Sequence, residues 1–305
     1  MLLNTGFSGP QCWLLLAIAR GHVDAAGVEL DLTPGSGAFN AAPGLAAGGY
    51  DLAYGDIHAL VEVAARDRDA PIGVYATFDA SPSCIALPRG SAIAAPRDLA
   101  GARMIGHASD VALRTFGAFC AATGLARDAV AVLPAEGAMA ALADRVLAGE
   151  AEGLFCYAST LAAALAAQGR DAEAEFRQFR YADLVPDLHG SAVMASRALV
   201  RDHPAALRAL LTAFDRGLEE ALADPDAAIE VVLRFAPGAD ARVERLRWDA
   251  TLAVEMGRGE GFGAVDPARF TRGVALHATS LGLAPPDPAA LFTDAFLPPH
   301  RAAPR

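Results

Sequence analysis

The sequence predicts an α/β protein built from two lobes, and three observations lead to this prediction. Strand-like segments alternate with helical segments of about ten residues or more, a pattern typical of sheets covered by helices on both faces. The alternation comes in two blocks, roughly 1–88 and 89–194, and only helices follow Ser196. A chain of 305 residues is also long enough for two lobes, each with its own core.

The first block begins with a short strand and a helix that has Pro10 in its first turn, where the missing N–H of proline costs nothing. The next strand alternates apolar and polar residues, as a half-buried strand does. Pro34 and the glycines after it form a turn. The strands predicted in this block are 1–4, 28–33, 50–54, 71–78 and 84–87, and its helices are 8–20, 39–47 and 56–66.

The second block repeats the alternation, and a helical region follows it. The long helix that Pro204 opens has one buried apolar stripe. Alternation of this kind predicts mostly parallel sheets. The predicted strands are 103–106, 129–133, 153–156, 176–181 and 191–195. The predicted helices are 109–123, 137–148, 159–168, 204–222, 226–235 and 241–256, and a proline-rich tail begins at residue 285.

The two blocks predict how the chain divides between the lobes. We expect it to cross from the first lobe to the second near residue 88 and to return near residue 195. The first lobe then consists of residues 1–88 and 195–305, the last helices cover it, and the second lobe consists of 89–194. Two crossings of this kind make a hinge.

Composition excludes several classes of function. The formal net charge of −11 disfavours nucleic-acid binding, since the phosphate backbone repels such a surface. All 25 basic residues are arginines. Without lysine, the chain cannot form a Schiff base with pyridoxal phosphate, and it lacks the lysine of a nucleotide-binding P-loop. We therefore predict neither cofactor.

The cysteines and the apolar segments give two further expectations. The four cysteines are far apart and form no C-x-x-C pair, so we expect no metal site and four reduced, mostly buried thiols, although their even number allows disulfides: Cys12, Cys84, Cys120 and Cys156. The apolar run 13–19 is too short to span a membrane and has no basic leader. Either a leader was removed or the protein never had one.

Several segments resemble the nitrate, taurine and aliphatic-sulfonate binding proteins of ABC importers, and their order along the chain resembles that family too. Near the N-terminus they are Gly6-Phe7-Ser8-Gly9-Pro10-Gln11, Gly35-Ser36-Gly37 and Tyr54-Gly55-Asp56-Ile57. Residues 96–103 resemble the family's P-x-D-L-x-G-K segment, with Arg103 where lysine is usual. Residues 149–153 and 223–228 resemble a turn before a strand and a late helix start of the family.

The resemblance covers nearly the whole chain and implies a type II periplasmic-binding-protein fold, with a ligand held between the lobes. It implies a non-enzymatic, monomeric and extracytoplasmic protein that binds a small organic anion or a nitrogenous molecule, requires no cofactor, and reaches the membrane only through an ABC permease. A cytoplasmic location stays open.

Two alternatives also stay open. The same superfamily contains synthases of the thiamine pyrimidine, but these rely on a lysine and a cysteine-rich iron motif that this chain lacks. The other alternative is a ligand-sensing regulatory module. No G-x-S-x-G or H-E-x-x-H motif indicates catalysis, so we predict no catalytic residue.

Candidate ligand-binding residues follow the predicted strands, because ligands of open α/β lobes lie outside the carboxyl ends of the strands. The ten candidates are Ser8, Gln11, Trp13, Ser36, Gly37, Asp56, Phe78, Ser109, Asp110 and Tyr157. The N–H groups at the helix start near Ser8 are expected to receive an anionic head, although Ser8 can also simply cap the helix. Gly37 lets backbone approach a ligand closely.

The other candidates also have a structural alternative. Asp56 can accept a hydrogen bond from a ligand amine or cap its helix. Asp110 faces the first lobe across the cleft or, since it would repel an anion, points away. Tyr157 offers a flat face and a donor to a ligand, whereas Trp13 and Phe78 either stack on a ligand ring or belong to the core.

Overall fold

A computed structural model describes residues 1–256 and 262–299. The predicted first lobe also includes 257–261 and 300–305, which lie outside the described residues. The described strands are β1 (Leu52–Asp56), β2 (Ile72–Ala76), β3 (Ser83–Pro88), β4 (Arg103–Gly106), β5 (Ala131–Pro134), β6 (Gly153–Tyr157), β7 (Phe176–Arg180) and β8 (Ser191–Ala195).

The helices follow the predicted pattern, with additional short turns. They are α1 (Cys12–Ala19), α2 (His22–Ala25), α3 (Ala41–Ala46), α4 (Ala59–Ala64), α5 (Val111–Arg114), α6 (Phe116–Thr123), α7 (Met139–Leu147), α8 (Ala158–Ala166), α9 (Ala172–Glu175), α10 (Tyr181–Leu184), α11 (Arg197–Asp202), α12 (Pro204–Ala223), α13 (Pro225–Phe235), α14 (Ala241–Thr251) and α15 (Pro267–Ser280). A 3₁₀ turn over Gly9–Gln11 precedes α1, and a π-helical turn over Leu252–Met256 follows α14.

The first sheet has the strand order β1-β8-β2, and β8 is antiparallel to both neighbours. The predicted strands 1–4 and 28–33 contribute only isolated parallel bridges, in which Leu2 pairs with Thr33 and with Ala53. The chain turns away directly after these bridges. At Gly35 a Cβ atom would lie 1.7 Å from the Leu3 carbonyl oxygen, so only glycine fits there.

The second sheet has the strand order β5-β4-β6-β3-β7. Strand β4 is parallel to β5 and β6, whereas β3 is antiparallel to β6 and β7. The protein is therefore an α/β protein with two sheets and two lobes, as predicted. The prediction of mostly parallel sheets was wrong, because both sheets are mixed.

The mixed order has a simple topological reason. Strands β1 and β2 both run antiparallel to β8, so they run parallel to each other, as consecutive strands joined by a helix must. Strand β8 comes from the far end of the second block and inserts between them. Alternation in sequence shows which strands are joined by helices, but not which strand inserts between two others.

Sheet membership changes between β2 and β3 and again between β7 and β8. Residues 77–82 and 181–190 are therefore the two connections between the sheets. Strand β3, which belongs to the first block in sequence, pairs only in the second sheet. The lobe boundaries at residues 88 and 195 stay a prediction.

Each sheet is covered on both faces, because successive side chains of a strand point to opposite sides. In β1, Leu52 and Tyr54 pack with α1 and α12, while Ala53 packs with α3 and α4. In the second sheet, Phe155 packs with α6, and Leu154 packs with α7 and α8. No helix within residues 1–256 and 262–299 combines the length and apolar character that crossing a membrane requires.

The last helices contact both lobes, although the sequence suggested that they cover only the first. Helix α14 packs against the 3₁₀ turn Gly9–Gln11 and also against α8, which follows a strand of the second sheet. Helix α15 packs against α4 and α6.

Helix α15 also binds both connections between the sheets. Arg269 pairs with Asp79 of the first connection at 2.8 Å, and Arg272 pairs with Asp187 of the second at 2.7 Å. Gly273 lies so close that a Cβ atom there would be 2.3 Å from the Asp187 carbonyl oxygen. One helix therefore holds the two segments about which the lobes would turn.

Candidate functional site

A cavity of about 510 Å³ lies between the two lobes. Its walls come from loops that follow strands of both sheets and from α14. Hydroxyl groups and apolar side chains make up most of the lining, with few charges. The polar or charged lining residues are Asn4, Thr5, Ser8, Gln11, Ser36, His107, Ser109, Asp110, Tyr157, Ser159, Thr160, Arg247 and Thr251.

Eight of the ten candidate residues lie together at this cavity. They are Ser8, Gln11, Ser36, Gly37, Phe78, Ser109, Asp110 and Tyr157. Because the carboxyl ends of strands from both sheets face the same space, residues from distant parts of the chain converge there. Contact of these residues with a ligand stays a prediction.

The other two candidates, Trp13 and Asp56, lie away from the cavity. Trp13 is fully buried, with its ring centroid 5.7 Å from that of Tyr54 and 5.9 Å from that of Phe214. The buried Asp56 carboxylate accepts the N–H of His58 at 2.9 Å. The structural alternative applies to both: Trp13 is a core residue, and Asp56 fixes the turn after β1.

The start of α1 does not offer the N–H groups expected for an anionic ligand. The Gly9 N–H donates to Oε2 of Glu244 at 2.7 Å, and the N–H groups of Gln11 and Cys12 donate to Ser8 and Gly9. Glu244 is only 5% exposed, so a carboxylate of the chain itself occupies this helix start. Sequence reasoning missed this because Glu244 lies 235 residues away from Gly9.

The neighbouring polar side chains bind one another. The Ser8 hydroxyl donates to Gln11 Oε1 at 2.6 Å, and Gln11 Nε2 donates to Asn4 Oδ1 at 2.7 Å. Ser8 makes no capping bond to the helix. This network fixes the orientation of one wall of the cavity.

The two lobes touch beside the cavity. A Cβ atom at Gly37, where φ is +133°, would lie 3.0 Å from the Ser109 side chain of the other lobe. Nearby, Arg114 of α5 binds Glu62 of α4 at 2.7 Å, and its guanidinium lies 4.9 Å from the centroid of the Phe39 ring. The structure therefore shows the lobes in a closed arrangement.

Asp110 is half-buried at the cavity and caps α5 by accepting the N–H of Ala112 at 2.8 Å. Burial raises the pKa of Asp110 to about 6, because desolvation disfavours the charged carboxylate and the backbone hydrogen bonds offset this only in part. The cavity therefore contains an acid that changes charge near neutral pH.

Helix α14 contributes residues that sequence reasoning missed. Arg247 and Thr251 line the cavity and lie four positions apart, on one face of the helix. Thr251 is fully buried, and its hydroxyl has no hydrogen-bond partner. Ser159 and Thr160 at the start of α8 line the cavity beside them. Helical spacing was the only signal in the sequence, since α14 follows no strand.

Nucleophilic chemistry finds little support in the side chains of the described cavity lining. None of the four cysteines lines it, and burial raises the pKa values of Cys12 and Cys120 above their ordinary range, away from the reactive thiolate. Ser109 Oγ lies 3.3 Å from His107 Nδ1, but Asp110 binds backbone instead of orienting this imidazole. No cluster of possible metal ligands exists among the described residues.

Comparison with known structures shows the same fold in both binding proteins and an enzyme. The periplasmic aliphatic sulphonate binding protein SsuA from Escherichia coli superimposes with a TM-score of 0.66 at 16% identity, covering 92% of this chain and 85% of that chain. The alkanesulfonate-binding protein SsuA from Xanthomonas axonopodis pv. citri, bound to MOPS, gives 0.63 at 17%, covering 96% and 98%. The desulfurization enzyme DszB in complex with biphenyl-2-sulfinic acid gives 0.66 at 16%, covering 97% and 96%.

At these identities the structural likeness establishes the fold alone, and this fold is the one that the sequence resemblance implied. No curated protein matches the sequence. The profile of the family described as NMT1/THI5 like matches residues 12–228. Since the match covers well over half of the chain, the protein belongs to the NMT1/THI5-like family.

Proposed function

We propose that this protein is the substrate-binding component of an ABC-type importer and captures a small organic molecule between its lobes. The observation that carries the proposal is the cavity of about 510 Å³, which is lined from both lobes by hydroxyl and apolar groups. A volume of this size suits a small ligand, and a few convergent polar groups in an apolar cavity are typical of ligand sites.

The mechanism is closure about the two connections between the sheets. A ligand contacts both lobes only in the closed arrangement, so its binding shifts the population towards that arrangement. The contacts of Gly37 with Ser109 and of Arg114 with Glu62 belong to the closed state. A permease then recognises the closed shape of an extracytoplasmic monomer, whose lobes are residues 1–88 with 195–305, and 89–194.

The comparisons support this role, since the two SsuA proteins are named as sulfonate-binding proteins and share the fold. The enzyme DszB has the same fold, so an enzyme is the second candidate. Two observations favour binding over catalysis. Lysine is absent from the sequence, and the thiols lie outside the described lining of the cavity.

Thermal unfolding and calorimetry with a panel of sulfonates, carboxylates and pyrimidines test the proposal. We expect at least one compound to raise the unfolding temperature, because a ligand present at 100 times its Kd stabilises the native state by about 2.7 kcal/mol. Thr160→Trp, at the exposed edge of the cavity, should abolish this effect. Thr271→Trp, on the exposed face of α15, should leave it unchanged.

Two results would reject the proposal. The first is an absence of binding across the panel. The second is the appearance, by mass spectrometry, of a converted product from a bound compound, which would establish an enzyme instead.

A further inference from the structure

We infer that the cavity holds the anionic head of its ligand between α14 and α8, and prefers monoanions to neutral molecules of the same shape. We name this place the anion subsite and define it by Arg247, Thr251, Ser159 and Thr160. The inference rests on the proposed function and adds to it a ligand class and the residues that select it.

Helix α14 supplies a cation and a buried hydroxyl. Arg247 lies towards the exposed edge, with its side chain 44% accessible, and uses Nη1 to bind Glu244 at 2.9 Å. A guanidinium carries five N–H donors, so this bond leaves others for a ligand. One helical turn further on, Thr251 is 0% exposed with an unpartnered hydroxyl, an arrangement that costs free energy unless a ligand supplies the partner.

Helix α8 supplies a positive helix terminus. It has nine residues, and no side chain caps its start at Tyr157. The N–H groups of a first helical turn have no partners within the helix and carry partial positive charge. Ser159 and Thr160 of this turn line the cavity, and α14 packs directly against α8. The cation, the buried hydroxyl and the helix terminus therefore lie around one region.

The acids at the cavity determine both the place and the charge of the head group. Glu244 occupies the start of α1, which removes the other helix terminus as an anion site. Arg247 is the one arginine among the described lining residues, and Glu244 already neutralises part of its charge. Asp110 adds negative charge elsewhere in the lining. This balance favours a single negative charge over two.

The apolar part of the lining accounts for the remainder of the ligand. It consists of Phe7, Phe78, Val111, Met139, Leu142 and Phe155. A monoanion with an apolar body therefore satisfies both parts of the cavity.

Calorimetry with pairs of equal shape tests the inference: benzenesulfonate against benzenesulfonamide, and hexanoate against hexanamide. We expect the wild-type protein to bind the anion of each pair about tenfold tighter or more, because hydrogen bonds between charged partners are stronger than neutral ones. Thr251→Val keeps the shape of the side chain and Arg247→Gln keeps a donor. Each should weaken anion binding severalfold and leave amide binding unchanged.

Arg245→Gln is the matched control, since Arg245 lies on the same helix, binds Asp249 and does not line the cavity. Equal wild-type affinity for anion and amide would overturn the inference and leave the proposed function intact. So would an anion preference that survives both substitutions. Failure of the wild type to bind any panel compound would overturn both. If Arg247→Gln does not fold, Thr251→Val decides alone.

Discussion

At the scale of single residues, Asp110 connects the cavity to pH. Its pKa is raised from 3.8 to about 6, so the folded state retains the proton over this range while the unfolded state releases it. Stability therefore falls as pH rises from about 4 to 6, and the penalty persists above pH 6.

The substitution Asp110→Asn should remove this penalty while the amide oxygen keeps the cap on Ala112. We expect the free energy of unfolding at pH 8 to rise by on the order of 1 kcal/mol relative to wild type. Urea unfolding at pH 4 and pH 8 measures this. If Asp110→Asn shows the same change between these pH values as wild type, Asp110 is not the titrating group.

A buried histidine has the opposite effect. Burial lowers the pKa of His277 from 6.5 to about 3, with the positive charges of neighbouring side chains adding to the effect, so the folded state holds it neutral. Below pH 6.5 the unfolded state takes up a proton that the folded state does not, and stability falls with pH. His189, whose pKa burial also lowers, contributes in the same direction.

His277→Phe should therefore flatten the acid side of the stability profile. Relative to wild type, we expect the variant to lose about 2 kcal/mol less between pH 7.5 and pH 5. Phenylalanine suits the site because the ring contacts of His277 are with Phe39 and His58. The exposed His203→Phe is the control and should follow wild type; a His277→Phe profile as steep as wild type would contradict the prediction.

Sequence reasoning found the site residues that follow strands and missed those that do not. Ser36 and Ser109 were predictable because a turn after a strand places them at the cavity. Arg247 and Thr251 were not, because the helical period shows one face of α14 without showing what that face contacts. Glu244 was hidden for the same reason, since only the folded chain brings it to Gly9.

At the scale of strands and helices, most segments lie where the sequence predicts them. Strand β4 and strand β8 have the predicted bounds, because apolar runs between glycines or polar turns define them. Strand pairing was not predictable, since β8 inserts between β1 and β2 from 115 or more residues further along the chain.

The pairing of β3 with β6 places two cysteines opposite each other. Cys84 and Cys156 are direct partners, with their sulfur atoms 3.4 Å apart. Opposed residues of antiparallel strands have Cα atoms about 4.5–5.5 Å apart, which is within the range that a disulfide spans. Both thiols are buried, and the hydrogen bond with Cys84 together with burial raises the pKa of Cys156, so oxidation of the folded protein should be slow.

We predict that protein refolded in an oxidising glutathione buffer contains a Cys84–Cys156 disulfide, while Cys12 and Cys120 stay free. Titration of thiols after denaturation should then count two, compared with four for protein refolded under reducing conditions. Cys84→Ser should give three under both conditions. Four free thiols in the oxidised wild-type protein would contradict the prediction.

At the scale of the whole molecule, closure depends on how closely the lobes approach beside the cavity. Ser109 and Gly37 are in contact there, so a large side chain at position 109 must hold the lobes apart. We expect Ser109→Trp to reduce ligand affinity about tenfold or more, since the affinity scales with the fraction of molecules able to close. Small-angle X-ray scattering should show a larger radius of gyration.

The neighbouring Ala108→Trp is the control, because Ala108 is exposed and does not line the cavity. Both variants should have the same unfolding temperature without ligand. If Ser109→Trp binds as tightly as Ala108→Trp, ligand capture does not require the lobes to meet at this point.

The position of α15 has a consequence for variation outside the cavity. Arg269 and Arg272 lie one turn apart and anchor both connections to the same rigid rod. Neither arginine belongs to the described lining, yet the two ion pairs must stretch or shift whenever the halves separate. Substitutions on this outer helix can therefore retune uptake while the chemistry of recognition stays the same, which gives the protein a way to adjust affinity without changing selectivity.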